Sequence, residues 1–203
     1  MFAASLFLGL PVLSSVLPIQ ASGPNPNQVY VAGISYGGTG CPANTVSISM
    51  AQDQQSFTLI FDQFVATSGA GTTAKEHRKN CQVNIDMRYP QGYSYSVTTV
   101  DYRGFVGIPA GLNAIQRTNY YFAGQTEQID SKSIFTGPFN QNYLIRDTID
   151  VSQKVWSPCG SVVRGNVNAE VRLQGDVTKT GQITVDSIDG KVQQTFGISW
   201  KTC

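Results

Sequence analysis

The stretch Gly33-Ile34-Ser35-Tyr36-Gly37 has the G-x-S-x-G spacing of a nucleophile elbow, and Asp62 and His77 follow Ser35 in hydrolase chain order. An elbow works because a strand turns sharply into a helix that supports the serine and supplies an oxyanion N–H. Here the next residues are Gly38-Thr39-Gly40-Cys41-Pro42, which cannot start a helix, and no strands alternate with helices around them. The sequence therefore reads Ser35 as a residue of a glycine loop and assigns no catalytic residue. His77 is the only histidine and sits among Lys75, Arg78 and Lys79, the pattern of a solvated surface residue. Asp62, Asp86, Asp101, Glu127 and Asp130 could supply a glycosidase pair, but strand spacing alone does not bring two of them together. Asp186 and Asp189-Gly190 lack further oxygen ligands at loop spacing, so they read as a hairpin turn and no metal or cofactor is expected.

Tyrosines offer a different chemistry. Tyr93 and Tyr95 lie close together, as do Tyr120 and Tyr121, and an exposed tyrosine beside Asn or Gln can stack on a sugar ring. Those four are the candidate ligand-binding residues. Alternation along a strand sends Tyr120 and Tyr121 to opposite faces, so at least one of them points away from the core.

The elements that must carry these residues are strands. Cys81 to Tyr89 alternates apolar and polar for nine positions, Pro90-Gln91-Gly92 follows, and Tyr93 to Val100 alternates again. This predicts a hairpin with Tyr89 opposite Tyr93, Met87 opposite Tyr95 and Ile85 opposite Val97. Val29-Tyr30-Val31 reads as a short edge strand, Gly33 to Pro42 as a tight loop, and Val46–Met50 and Phe57–Phe61 as strands, with a bulge near Gln63 restoring the phase of Phe64. Ala66 to Lys79 reads as a long loop, Leu112 to Ala123 as a strand, and Gly124 to Asn142 as loop with one short strand at Ser133–Phe135. A strand from Tyr143 to Trp156, one carrying Val167, Ala169, Val171 and Leu173, one opening with Ile183 and Val185, and one with Phe196, Ile198 and Trp200 complete nine or ten. With turn signals between them, the expected fold is all-β, a two-sheet antiparallel sandwich of jelly-roll or immunoglobulin-like type, with a closed barrel as the alternative.

A chain of 203 residues suits one such domain. Charged residues are only 13% of it, against about 25% in an average soluble protein, and the net charge is +1. That composition excludes the basic footprint of a nucleic-acid binder. Residues 1–21 read as a secretory signal: the apolar run is broken by Pro11 and Pro18, is short for a membrane span, and ends at Ile19-Gln20-Ala21, leaving a mature domain over 22–203. The cysteines at 41, 81, 159 and 203 show no C-x-x-C spacing and fit two disulfides of an oxidising compartment. Of three connectivities, Cys41–Cys81 and Cys159–Cys203 are expected, because the first ties the glycine loop to the organising strand and the second clamps the closing strand.

At Tyr36-Gly37-Gly38-Thr39-Gly40-Cys41-Pro42, with Arg78-Lys79-Asn80-Cys81, Tyr89-Pro90-Gln91-Gly92 and Pro158-Cys159-Gly160, the chain resembles a family of small secreted proteins, mostly fungal, catalogued as domain of unknown function 4360. The resemblance implies secretion and disulfides and brings no catalytic constellation. The expected function is non-catalytic binding at the cell wall or in the extracellular space, to polysaccharide or a host component. The alternatives are a hydrolase acting on wall polysaccharide or ester and a structural wall component.

Overall fold

The computed structural model describes residues 23–160, 163–185 and 192–203. The expected signal segment, residues 1–21, and the turn expected at Asp186 and Asp189-Gly190 lie outside the described residues. The strands in chain order are β1 (Tyr30–Gly37), β2 (Val46–Met50), β3 (Ser56–Phe61), β4 (Val65–Ser68), β5 (Arg78–Arg88) and β6 (Tyr93–Ile108), with the single-turn helix α1 (Ala74–His77) before β5. Then come β7 (Leu112–Phe122), β8 (Gln128–Thr136), β9 (Phe139–Thr148), β10 (Gly165–Gly175), β11 (Gly181–Thr184) and β12 (Val192–Thr202). One sheet runs β1-β5-β10-β7-β8 and the other β2-β3-β12-β6-β11-β4, with β9 on the second edge of β6. Every ladder is antiparallel. The two sheets pack face to face as a sandwich and no barrel closes.

The core follows from period two. Val83, Ile85 and Met87 of β5, Val167, Ala169 and Val171 of β10, and Phe57, Leu59 and Phe61 of β3 are buried, while their chain neighbours face out. Within the seven-stranded sheet Phe57 stacks on its cross-strand partner Phe196 at 4.8 Å and Tyr95 meets Trp200 at 5.4 Å, while across the core Tyr95 meets Phe122 of the other sheet at 5.1 Å. The hydroxyls of Tyr95 and Tyr120 converge on Gly165, where an added Cβ would lie 3.1 and 3.0 Å from them. A side chain there would push into the middle of the aromatic cluster.

The structure corrects the expected hairpin. The strands on either side of Pro90-Gln91-Gly92 exist, but β5 pairs with β1 and β10 whereas β6 pairs with β12, β9 and β11. The turn is an arch from one sheet to the other. Its apolar residues meet across the core, as in the edge contact of Tyr89 with Tyr95 at 5.4 Å. Two adjacent strands that each bury one face satisfy the same alternation whether they pair laterally or stack, so periodicity does not separate the cases.

Other segments were read too loosely. Gly33 to Gly37 is strand, not loop, and continues β1 past a register shift between Val31 and Gly33. The tight turn begins only at Gly38. There Gly40 N donates to the Asn80 carbonyl at 2.9 Å, and a Cβ on Gly38 would come within 2.2 Å of that same oxygen. Phe64 regains the core after a break between β3 and β4, not through a bulge within one strand. The region read as polar loop from Gly124 to Asn142 holds β8 and the start of β9, and the strand expected to reach Trp156 ends at Thr148 before a 3-10 turn at Val151–Gln153.

Two disulfides are present, Cys41–Cys81 and Cys159–Cys203. The first welds the Gly38–Cys41 turn to the start of β5, and the second ties the end of β12 to the segment preceding β10.

Candidate functional site

The outward side chains of the five-stranded sheet line up in rows fixed by the strand register. One row is Ser35, Asn84, Asn166, Tyr121 and Gln128, contributed by β1, β5, β10, β7 and β8. The next is Gly37, Gln82, Asn168, Asn119 and Asp130, and a third holds Asn80, Glu170, Arg117 and Lys132. Carboxamides therefore occupy the middle of the face. They bond laterally: Asn168 Nδ2 donates to Gln82 Oε1 at 3.0 Å, the Tyr121 hydroxyl reaches the same oxygen at 3.5 Å, and Asn84 Nδ2 donates to Ser35 Oγ at 3.2 Å. Such contacts fix the amide orientations. Gln82 Nε2 is buried and Asn166, itself buried, donates to the Arg164 carbonyl at 3.2 Å, whereas Asn84, Asn119 and Asn168 are only half-buried.

Charges on this face are largely cancelled in pairs. Arg117 grips Asp130 with two bonds of 2.9 and 2.7 Å, Arg78 Nε donates to Glu170 at 2.7 Å, and Arg88 pairs with Asp86 at 2.9 Å. The bidentate Asp130 contact also raises the Arg117 guanidinium above its usual range, chiefly through those hydrogen bonds. At the β1 edge the outward positions are Gly33, Ser35 and Gly37, and a Cβ added at either glycine meets nothing within 4 Å. The face thus falls away into a shallow hollow of about 200 Å³ bounded by Ser35, Asn84, Asp86 and Arg164.

At the opposite edge the same face runs into a cleft of about 640 Å³. Gln128 and Asp130 belong to both. Gln125, Glu127, Gln153 and Lys154 add polar groups, Ile129, Ile149 and Val155 form a buried floor, and the Trp156 indole stands at one wall. Gln125 Nε2 holds the Trp156 carbonyl at 3.1 Å, and Lys201 Nζ lies 4.3 Å from the centre of the indole ring. An apolar floor with a few convergent polar groups is the usual composition of a small-ligand site.

The four candidate tyrosines separate. Tyr95 and Tyr120 are each 1% exposed and belong to the core, so they present no ring to a ligand. This corrects their reading as binding residues; burial also pushes both phenols far above their usual range. Tyr93 is half-buried on β6 in the seven-stranded sheet, opposite Thr202. Tyr121 alone lies in the carboxamide rows, half-buried and outward. Sequence reasoning missed the carboxamides around it. Their signal was available, since Asn166 and Asn168 occupy the outward phase of an evidently alternating strand, as do Gln82 and Asn84 of β5.

Of the carboxylates singled out, Glu127 and Asp130 both line the cleft, and the others lie elsewhere. Asp101 is held by Arg146 through bonds of 2.7 and 2.6 Å, and with Asp62 it belongs to the other sheet's side. Asp86 and Asp130 are ion-paired as described, and Glu127 lies in the cleft. Ser35 takes its hydrogen bond from Asn84, while His77 Nε2 bonds Thr72 Oγ1 at 2.9 Å. With Ser35 in mid-strand and no histidine beside it, a fluorophosphonate probe is expected to leave it unlabelled. Labelling that disappears in Ser35→Ala would reverse that conclusion. Among the described residues no group of three His, Cys, Asp or Glu side chains could hold a metal ion, and no helix is long and apolar enough to cross a membrane.

Comparison with known proteins gives a family and a relative. The family described as Domain of unknown function (DUF4360) matches residues 27–203. An uncharacterized secreted protein of Arthroderma benhamiae is 44% identical over 181 residues, covering 89% of this chain and 74% of that one. With its two disulfides, the chain is likewise a secreted protein. Among solved structures, the TmCBM61 complex with β-1,4-galactotriose is 7% identical, with 85% of this chain and 90% of that chain covered and a TM-score of 0.29. Tailspike protein 4 of bacteriophage CBA120 is 13% identical, with 89% and 21% covered and a TM-score of 0.27. Backbones that superpose this poorly carry no functional argument, which rests instead on the face itself.

Proposed function

The chain belongs to the domain of unknown function family 4360, and from that premise we propose that its mature form, starting near Ser22, binds neutral polysaccharide outside the cell without turning it over. The single observation that carries this reading is the half-buried Tyr121 ring set among Asn84, Asn166, Gln82 and Asn168, on a face whose acidic side chains are paired with arginine. Sugar hydroxyls need both donors and acceptors, which a carboxamide supplies together, and the C–H face of a sugar needs an apolar ring. Neighbouring strands are about 4.8 Å apart, so a five-strand row extends roughly 19 Å. An extended glycan laid across the strands meets a hydroxyl or carboxamide from nearly every one. Its end then reaches the cleft where Gln128 passes to Trp156.

The test is retention of the secreted protein on insoluble wall polysaccharides, with released sugar measured in the same tube. Wild type is expected to be retained without new reducing ends. Tyr121→Ala should weaken retention roughly tenfold, the loss of one aromatic contact of about 1.4 kcal/mol, and Asn84→Ala, at a half-buried carboxamide of the same row, should weaken it further. Tyr93→Ala, on the other sheet, should change nothing. Retention indifferent to Tyr121 and Asn84 would sink the proposal, and sugar release would transfer it to a hydrolase.

A further inference from the structure

The first charged residue of the whole sequence is Asp53. The strands built from the uncharged part, β1 and β2, are both edge strands, one in each sheet, and they lie on the same flank of the sandwich. The other edges differ. β8 carries Asp130 and Lys132, β9 carries Arg146 and Asp147, and β4 is only four residues long. Charges and shortness are the ordinary means by which an edge is kept from pairing with another chain. β1 has eight residues without a charge or a proline. Its register shift lies near its start, between Val31 and Gly33, so that Gly33 to Gly37 remain regular strand.

The side chains of β1 are also incompletely covered. Val31, Ile34 and Tyr36 face the core yet stay half-buried, whereas the corresponding residues of β5 next to it are fully buried. Tyr30, at one end of the outward face, is 57% exposed. At the other end Gly37 leaves open space. An antiparallel two-fold pairing brings one end of a strand against the opposite end of its copy, so a bulky end meets a bare one.

We propose that β1 pairs antiparallel with β1 of a second copy, with the two-fold axis at Ile34. Gly33 then lies opposite the partner's Ser35, and Tyr30 comes over the partner's Gly37. The pairing uses the backbone edge of β1 that no described strand occupies, covers Val31, Ile34 and Tyr36, and joins two five-stranded sheets into one ten-stranded face. It goes beyond the binding reading and does not depend on it.

Sedimentation equilibrium of the secreted protein without polysaccharide tests the pairing separately from binding. Wild type is expected to dimerise. Ser35→Lys and Ser35→Asp, which set like charges diagonally across the axis, should each shift the protein to monomer at the concentration where wild type is dimeric. An equimolar mixture of the two variants should restore the dimer, because opposite charges then face one another. Thermal unfolding of each variant near the wild-type midpoint confirms that Ser35, exposed on its strand, was not needed for folding. Wild type that stays monomeric at its highest soluble concentration, a dimer indifferent to both variants, or a mixture that stays monomeric would each overturn the proposal.

Discussion

Raising the pH above 10 is expected to unfold this protein in one cooperative step. Burial pushes four phenols, those of Tyr95, Tyr102, Tyr120 and Tyr143, well above the usual phenol range near 10. Tyr143 additionally donates to the Thr184 carbonyl at 2.9 Å, a bond that a phenolate could not make. The raised folded-state values fix the sign. Below pH 10 both states keep these protons and the contribution is fully present; above it the unfolded chain releases them while the folded chain holds them. Stability therefore falls as pH rises, by about 1.4 kcal/mol per tyrosine per pH unit, or roughly 5 kcal/mol per unit for four. Against a total of about 5–15 kcal/mol that places unfolding between about pH 11 and 13. Tyrosinate absorbance and far-UV circular dichroism should change together, and Tyr102→Phe should move the midpoint to higher pH. Gradual ionisation near pH 10 with the β signal intact would show that the phenols are accessible.

Those tyrosines mark both what the sequence discloses and what it hides. The strands β3, β5 and β10 were legible because each buries aliphatic or aromatic residues at every second position, with polar residues between, and β12 repeats the pattern over Phe196, Ile198 and Trp200. The all-β sandwich followed from them. β8 was hidden for a physical reason. Its inward positions are Ile129, Ser131, Ser133 and Phe135, so polar residues fill both phases at its centre. They lie against Gln116 and Thr118 of β7, and the Tyr102 hydroxyl from the other sheet sits among Thr118, Ser131 and Asp147. Gln116 is 2% exposed, and its carboxamide meets no hydrogen-bond partner among the described groups. A polar seam in the core erases the contrast on which period-two reading depends.

The candidate site was less legible than the fold. Tyr121 was picked out by type, but so were Tyr95 and Tyr120, which the same alternation sends inward. What distinguishes them is the partner strands: Asn84, Asn166 and Gln128 come beside Tyr121 only because β5, β10, β7 and β8 are consecutive in the sheet. That order joins residues far apart in the chain, and no local pattern encodes it. The misread arch after β5 has the same origin, since pairing partners are a property of the whole sheet.

The bridge between Cys159 and Cys203 is expected to matter most at the end of β12. Residues Gln194–Gly197 of β12 lie between β3 and β6, but Ile198–Thr202 pair with β6 alone. That last stretch is supported by Ile198 N bonding the Gln55 carbonyl at 2.8 Å, by Trp200 Nε1 on the Gln54 carbonyl at 3.3 Å, and by Cys203 N on Gly92 at 3.0 Å. The disulfide spans a separation of 44 residues, and in the chain-entropy model its loss costs about 4 kcal/mol. For a domain of this size that lowers Tm by roughly 8–16 °C. The Cys159→Ser/Cys203→Ser double variant should also expose the amides of Ser199–Thr202 to hydrogen exchange before those of β10, because the one-sided segment opens without breaking the ladder to β3. Trp200, packed 5.4 Å from Tyr95 and 5.6 Å from Tyr89, reports the same opening in its fluorescence. Removing Cys41–Cys81, of nearly equal span at 40 residues, should cost a similar amount yet leave Trp200 unchanged, since that bridge holds the Gly38–Cys41 turn to β5. If both pairs of variants lost β12 protection alike, the bridge would be acting only on the unfolded chain, and the local clamp assigned to Cys203 would be wrong.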